Sequence, residues 1–151
     1  MVEKSPLNHE QHQEACVFCD IRDRKKPGSV IAETDESVAI MALEGHPLVM
    51  PKEHTTKEDF EENPSLLSGA FALALALAPS VQEAMGAQGM TFVLNLGEAA
   101  GQEISHVHVH LFPRVSGDRE ISYRLSPRLP RPELDSRAIR ISNEFEKGTQ
   151  A

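Results

Sequence analysis

Cysteine is scarce in this chain: among 151 residues only Cys16 and Cys19 occur, too few to build a disulfide scaffold. Signals for export or insertion are missing as well. The opening stretch MVEKSPLNHEQHQEA has no apolar core of the kind a secretory leader needs. The most apolar run, Leu66 to Ala78, contains Ser68 and Gly69, stops at Pro79 and is too short to span a bilayer. Positive charge is in deficit, with 15 Lys and Arg against 23 Asp and Glu and a formal net charge of -8. Nonspecific nucleic-acid binding depends on a basic stripe, and this balance argues against it. A small anionic ligand stays open, because a phosphate site is built from local donors rather than from global charge. Low-complexity stretches and repeats are absent too. The expectation is one soluble, cytoplasmic domain, large enough to bury a core.

Short apolar runs punctuated by turn residues make up most of what is present. Ser29–Glu33 and Ser37–Met41 read as strands joined by a turn at residues 33–36, and Pro47–Pro51 as a third strand bounded by prolines. Ser65 to about Met85 reads as a helix that Pro79 kinks or divides, rich in Ala and Leu and therefore expected to lie on a sheet or in a subunit interface. Met90–Asn95 and Ser105–Pro113 read as further strands, with a loop at Gly97–Gly101 between them, and about Glu133 to Phe145 as a final helix. Strands on both sides of one long helix, without regular alternation, predict an α+β domain with an antiparallel sheet.

Period-two alternation is sharpest at His106-Val-His108-Val-His110. In a strand the three imidazoles share one face and the valines the other, with successive histidine Cα atoms roughly 6.5–7 Å apart. Such a row serves either as a metal centre or as a nucleophile with neighbours that orient it. A metallohydrolase would supply an Asp nearby, and a cupin-type site a Glu a few residues on. Here Leu111-Phe-Pro-Arg114 follows instead, which favours the nucleophile. Gly101-Gln102 stands just before the row and Asn95 on the preceding strand. Glycine lets backbone approach a phosphate, and the two carboxamides donate or accept without adding charge.

The segment Ala100-Gly-Gln-Glu-Ile-Ser-His106-Val-His-Val-His110-Leu-Phe-Pro-Arg114 resembles the signature of the histidine triad (HIT) family. Gly45-His46-Pro-Leu-Val-Met-Pro51-Lys-Glu-His54 is similar to that family's other common segment, and Cys16-Val-Phe-Cys19 to the start of many prokaryotic, CxxC-bearing members. The resemblance implies a dimer of an α+β fold that cleaves a nucleoside monophosphate from a leaving group, and the text is nearest the dinucleoside polyphosphate hydrolase branch. Carried over residue by residue, His108 is the catalytic nucleophile that forms a nucleotidyl-histidine. His110 binds or polarises the phosphate, and Gln102 and Asn95 hold its oxygens or the bridging atom. The substrates implied are dinucleoside polyphosphates or nucleoside phosphoramidates. A nucleotidyltransferase or phosphorylase, and a nucleotide-binding regulatory protein with little activity, are the alternatives.

The resemblance also implies a structural zinc on Cys16, Cys19, His54 and His106, a closed Cys₂His₂ set, and no organic cofactor. A redox dithiol and two idle buried thiols are the other readings of the cysteines. His46 either supports the triad from the next strand or is a core histidine. Two departures stand out. Ala42 occupies the position where many members carry an acidic residue that holds the ribose hydroxyls, with Glu44 as a possible substitute, and Glu103 replaces a serine common in the phosphoramidase branch. The chain divides as a flexible segment 1–14, a HIT domain 15–118, and an extension 119–151 that packs on the domain or the dimer.

Overall fold

A computed structural model describes residues 16–118 and 127–149. The expected flexible segment 1–14 and the first part of the C-terminal extension, 119–126, lie outside the described residues. The first helix is α1, Val17–Arg22, capped by Cys16, whose sulfur accepts from the Cys19 amide. Strands β1 (Val30–Glu33), β2 (Ser37–Met41) and β3 (Pro47–Pro51) follow. A short helix α2 (Lys57–Glu62) begins on a capping box between Thr56 and Asp59. A 3₁₀ turn at Pro64–Leu67 leads into the long helix α3, Ser68–Met85. Strands β4 (Gly89–Leu94) and β5 (Val109–Arg114) complete the sheet, and helix α4 spans Arg131–Thr149.

The five strands order as β1-β2-β3-β5-β4, and every neighbouring pair is antiparallel. Both prolines of β3 sit at its ends, Pro47 opposite Met41 and Pro51 opposite Ser37, so neither takes an amide donor from the middle of the ladder. Alternation sends Ala39, Met41, Val49, Val109 and Leu111 to one face, where they meet Ala70, Leu73, Ala74, Leu77 and Val81 of α3. Those helix positions recur at three- and four-residue spacing, the stripe a helix needs to lie on a sheet. Each fully buried Leu or Val contributes roughly 1.5–3 kcal/mol. Val38, Ile40, Leu48 and Met50 face the other way, against Cys16, Phe18 and Cys19 at α1.

Three expectations need correction. Pro79 does not divide the helix, because α3 runs through it. Proline removes the amide that would bond the carbonyl of Leu75, and Leu75 is 61% exposed, so water can satisfy that carbonyl. With the 3₁₀ turn, Pro64–Met85 reaches 22 residues and contains an 18-residue window of mean hydropathy 1.6, which is long and apolar enough to cross a membrane by length and composition. In this fold its stripe is a packing face on the sheet, and Gly86 ends it in the left-handed conformation at φ 64°. The last strand begins at Val109 rather than Ser105. Upstream of it the backbone leaves the ladder: the Val107 amide donates to the Thr55 carbonyl, and His106 is tied elsewhere by its ring. The final helix extends beyond the expected 133–145, and its Leu134, Ala138 and Ile141 complete the core over α3.

Candidate active site and metal cluster

His106 and His108 occupy irregular backbone just before β5, and His110 lies within the strand opposite Leu48 and Val93. All three rings are buried, and they divide between two environments.

His106 belongs to the first. Its Nδ1 lies 3.4 Å from Cys16 Sγ and 3.6 Å from Cys19 Sγ, and His54 Nδ1 is 3.4 Å from Cys19 Sγ. The four ligand atoms all fall within 4.8 Å of one another. A tetrahedral zinc with Zn–S of ~2.3 Å and Zn–N of ~2.05 Å has S···N edges of about 3.6 Å, so the spacing suits the ion. The second contact of His106 supports the same role. Its Nε2–H donates to the Pro51 carbonyl at 2.7 Å, which leaves Nδ1 with the lone pair a metal requires. Burial, and then the neighbouring Cys16, push the Cys19 thiol up to about 12, while burial together with His54, His108 and Arg22 lowers His106 to about 4 despite the Pro51 bond. Two sulfurs and two imidazole nitrogens so enclosed fit a dication with four protein ligands. Both cysteines are free thiols, so the pairing a disulfide would require is not made.

The second environment is a cleft of about 320 Å³ on the α1 side of the sheet. His108 and His110 form one end of it, with Gly101, Glu103 and Ile104 beside them. Val17, Phe18 and Ile21 of α1 provide an apolar wall, and Ile40, Ala42 and Leu48 the floor. Lys26, Arg128 and Arg131 also line it, Arg131 bonded to Ser29 just before β1. His108 Nδ1–H donates to the His106 carbonyl at 2.8 Å, leaving Nε2 as the lone-pair nitrogen. Burial lowers the pKa of His108, against the opposing pull of that backbone bond and of Glu103. A neutral, oriented imidazole is the form that can attack an electrophile. His110 Nδ1 lies 2.9 Å from His46 Nε2, so one proton is shared between the two rings. Burial, reinforced by His108, holds His46 down at about 4. His46 thus backs His110, the supporting role that its place beside Gly45 left open.

Gln102 stands next to the cleft but directs its carboxamide into its own loop. Its Oε1 accepts from the Gly97 amide at 2.8 Å and its Nε2 donates to the Ile104 carbonyl at 3.0 Å. Asn95 lies one residue past the end of β4 rather than on the strand. Three contributors were not anticipated from the sequence. Phe18 sits edge-on to His106 at 5.9 Å and to His108 at 4.9 Å between ring centroids, joining the two environments. The spacing Cys-x-Phe-Cys on one helical turn was the available signal. Arg128 and Arg131 reach the rim from the C-terminal segment, where no motif marked them.

A family profile described as HIT domain matches residues 23–117, and the chain belongs to the HIT family. It is 36% identical over 110 residues to an uncharacterized HIT-like protein of Methanocaldococcus jannaschii, covering 70% of this chain and 84% of that one. An adenosine 5'-monophosphoramidase of Schizosaccharomyces pombe is 32% identical over 122 residues, covering 75% and 88%. The crystal structure of a Zn-bound histidine triad family protein from Mycobacterium smegmatis superposes with a TM-score of 0.77 at 28% identity, covering 91% of this chain and 98% of that one.

Proposed function

We propose that this chain is a nucleotidyl hydrolase that cleaves a nucleoside monophosphate from a dinucleoside polyphosphate or a nucleoside phosphoramidate through a covalent intermediate on His108. The observation that carries the reading is the His108 Nδ1–H bond to the His106 carbonyl, which fixes the tautomer and leaves Nε2 free at the end of a nucleoside-sized cleft. The Nε2 lone pair forms the bond to the α-phosphorus. The phosphorus–oxygen or phosphorus–nitrogen bond to the leaving group breaks, and that group departs with the electron pair and takes up a proton. Water then attacks the same phosphorus, and imidazole leaves with its lone pair restored. His110, backed by His46, donates to the charged phosphoryl oxygens, and the Gly101–Ile104 loop, braced by Gln102, flanks the reacting group. We assign Gln102, once substrate draws its carboxamide from its loop contacts, and Asn95 to holding phosphate oxygens or the bridging atom.

The relative with a phosphoramidase name supports the phosphoramidate half of this reading. The His-Val-His-Val-His-Leu-Phe-Pro-Arg text supports the polyphosphate half. Phosphate in place of water would make the same site a phosphorylase. Zinc at Cys16, Cys19, His54 and His106 is assigned a structural role, because all four positions of a tetrahedron are filled by protein. Dimerisation is supported by the partly exposed edge strand β4 and by Leu75 on the outer face of α3. Free thiols at both cysteines suit the reducing cytoplasm.

Incubation with a diadenosine polyphosphate and with an adenosine phosphoramidate, each with and without added phosphate, tests the reaction. Acid quenching during turnover should trap AMP on His108, and His108→Ala should abolish both label and turnover. Absence of turnover and of label with either substrate refutes the enzyme reading.

A further inference from the structure

We propose that the nucleotide accepted by this cleft carries a second phosphate, on the 2′- or 3′-oxygen of its ribose, and that Arg131 with Arg128 and Lys26 binds it. This inference rests on the nucleotide reading of the cleft and names the substrate class. The sheet order sets the scale. Between His110 on β5 and Ser29 at the start of β1 lie three strand spacings, roughly 14 Å at ~4.8 Å each. The His110 end of the cleft is therefore the phosphoryl end, and the long cationic side chains approach it from the β1 side.

Along that side the lining favours an anion over a bare ribose. A vicinal diol is held by an acceptor, usually a carboxylate, whereas the floor there is the buried methyl of Ala42. Cations occupy the rim instead: Lys26, Arg128 and Arg131 stand against the carboxylate of Glu44, in a chain whose net charge is -8. Arg131 is pre-oriented. Its guanidinium donates to Ser29 Oγ at 2.9 Å and to the Pro27 carbonyl at 3.5 Å, both neutral acceptors, and among the described residues it makes no direct ion pair. The hydroxyl of Ser29 is in turn committed to Asp135 at 2.6 Å, which holds the arrangement in place. Arg128 is brought over the same turn by the Leu129 amide, which donates to the Leu43 carbonyl at 2.8 Å, and among the described residues it makes no ion pair. Lys26 is more loosely held, 57% exposed and 3.4 Å from Asp20. Two guanidinium groups and an ammonium around an apolar floor suit a dianionic phosphate monoester better than a hydroxyl pair, for which Glu44 supplies an acceptor.

Calorimetry on the full chain tests the subsite without chemistry. The titrants are AMP, adenosine 3′,5′-bisphosphate, adenosine 2′,5′-bisphosphate, ADP and GMP at fixed ionic strength. One of the bisphosphates should bind at least tenfold tighter than AMP, and Arg131→Ala should bring that ratio near one. Arg128→Ala, at an exposed position, should lower the ratio by severalfold. Equal affinity for AMP and both bisphosphates overturns the proposal. An Arg131-dependent gain for ADP but not for the bisphosphates would place the second anion on the leaving group, and one confined to GMP would assign the arginines to a base; either overturns it. If a bisphosphate binds tightly and yet no AMP label forms on His108, the subsite stands and the hydrolase reading falls.

Discussion

Replacing Phe18 by alanine probes the junction between the metal cluster and the cleft. The ring is 4% exposed and packs with Val38, Ile40 and Leu48 beneath α1. Truncating a buried Phe costs ~3–5 kcal/mol from lost transfer energy and the residual cavity. Part of that range is the edge-on contact with His106 at 71° and with His108 at 77°, each worth ~0.5–1.5 kcal/mol beyond area. Because Phe18 also walls the cleft, water can enter the space it vacates, which pulls the estimate to the lower part of the range, about 3 kcal/mol. Urea unfolding should show this loss in midpoint with an unchanged slope. Under the proposed function, kcat/KM should fall as well, since His108 loses the ring packed edge-on against it. Phe18→Leu keeps most of the volume and should cost less than about 1.5 kcal/mol. A Phe18→Ala protein within about 1 kcal/mol of the parent, with kcat/KM intact, would refute the idea that this ring couples the two environments.

Cys19→Ser should reduce bound zinc from one per chain to a small fraction by elemental analysis and lower the melting temperature; a metal-free parent that melts at the same temperature as the variant contradicts the cluster assignment. Acidification should destabilise the fold through His46. Its folded pKa of about 4 lies below the ordinary 6.5, so the unfolded chain takes up a proton that the folded chain refuses as pH drops. Stability is therefore fully present above about 6.5, falls between 6.5 and 4, and levels off below, with a contribution of roughly 3 kcal/mol. Urea midpoints measured from pH 7.5 to 4 should show that slope, and a flat profile would contradict it.

Much of this fold is legible along the chain because the residues that end its strands are hard to misread. Pro47 and Pro51 bound β3, and Ser37–Met41 is bordered by turn residues, so β2 and β3 fall where expected. The His-x-His-x-His text marks the site, but its alternation overstates the strand. A backbone bond from Val107 to Thr55 lies 52 positions away in sequence, and no local pattern announces it. The metal set was readable through resemblance because Cys-x-x-Cys and the two histidines keep their spacing. The cationic rim was not, because Lys26, Arg128 and Arg131 are ordinary surface residues until α4 packs over β1.

Helix α1 has six residues and two employers. The turn that presents Cys16 and Cys19 to the cluster also lays Val17, Phe18 and Ile21 along the cleft. Evolution therefore cannot recut nucleoside preference on this wall without working within two residues of Cys16 or Cys19. A lineage that discards the cysteines must find another anchor for the helix before it can keep the same substrate. Under the proposed function, selectivity and metal binding are inherited here as one trait, and a transplant of this specificity into another scaffold would have to carry the whole turn.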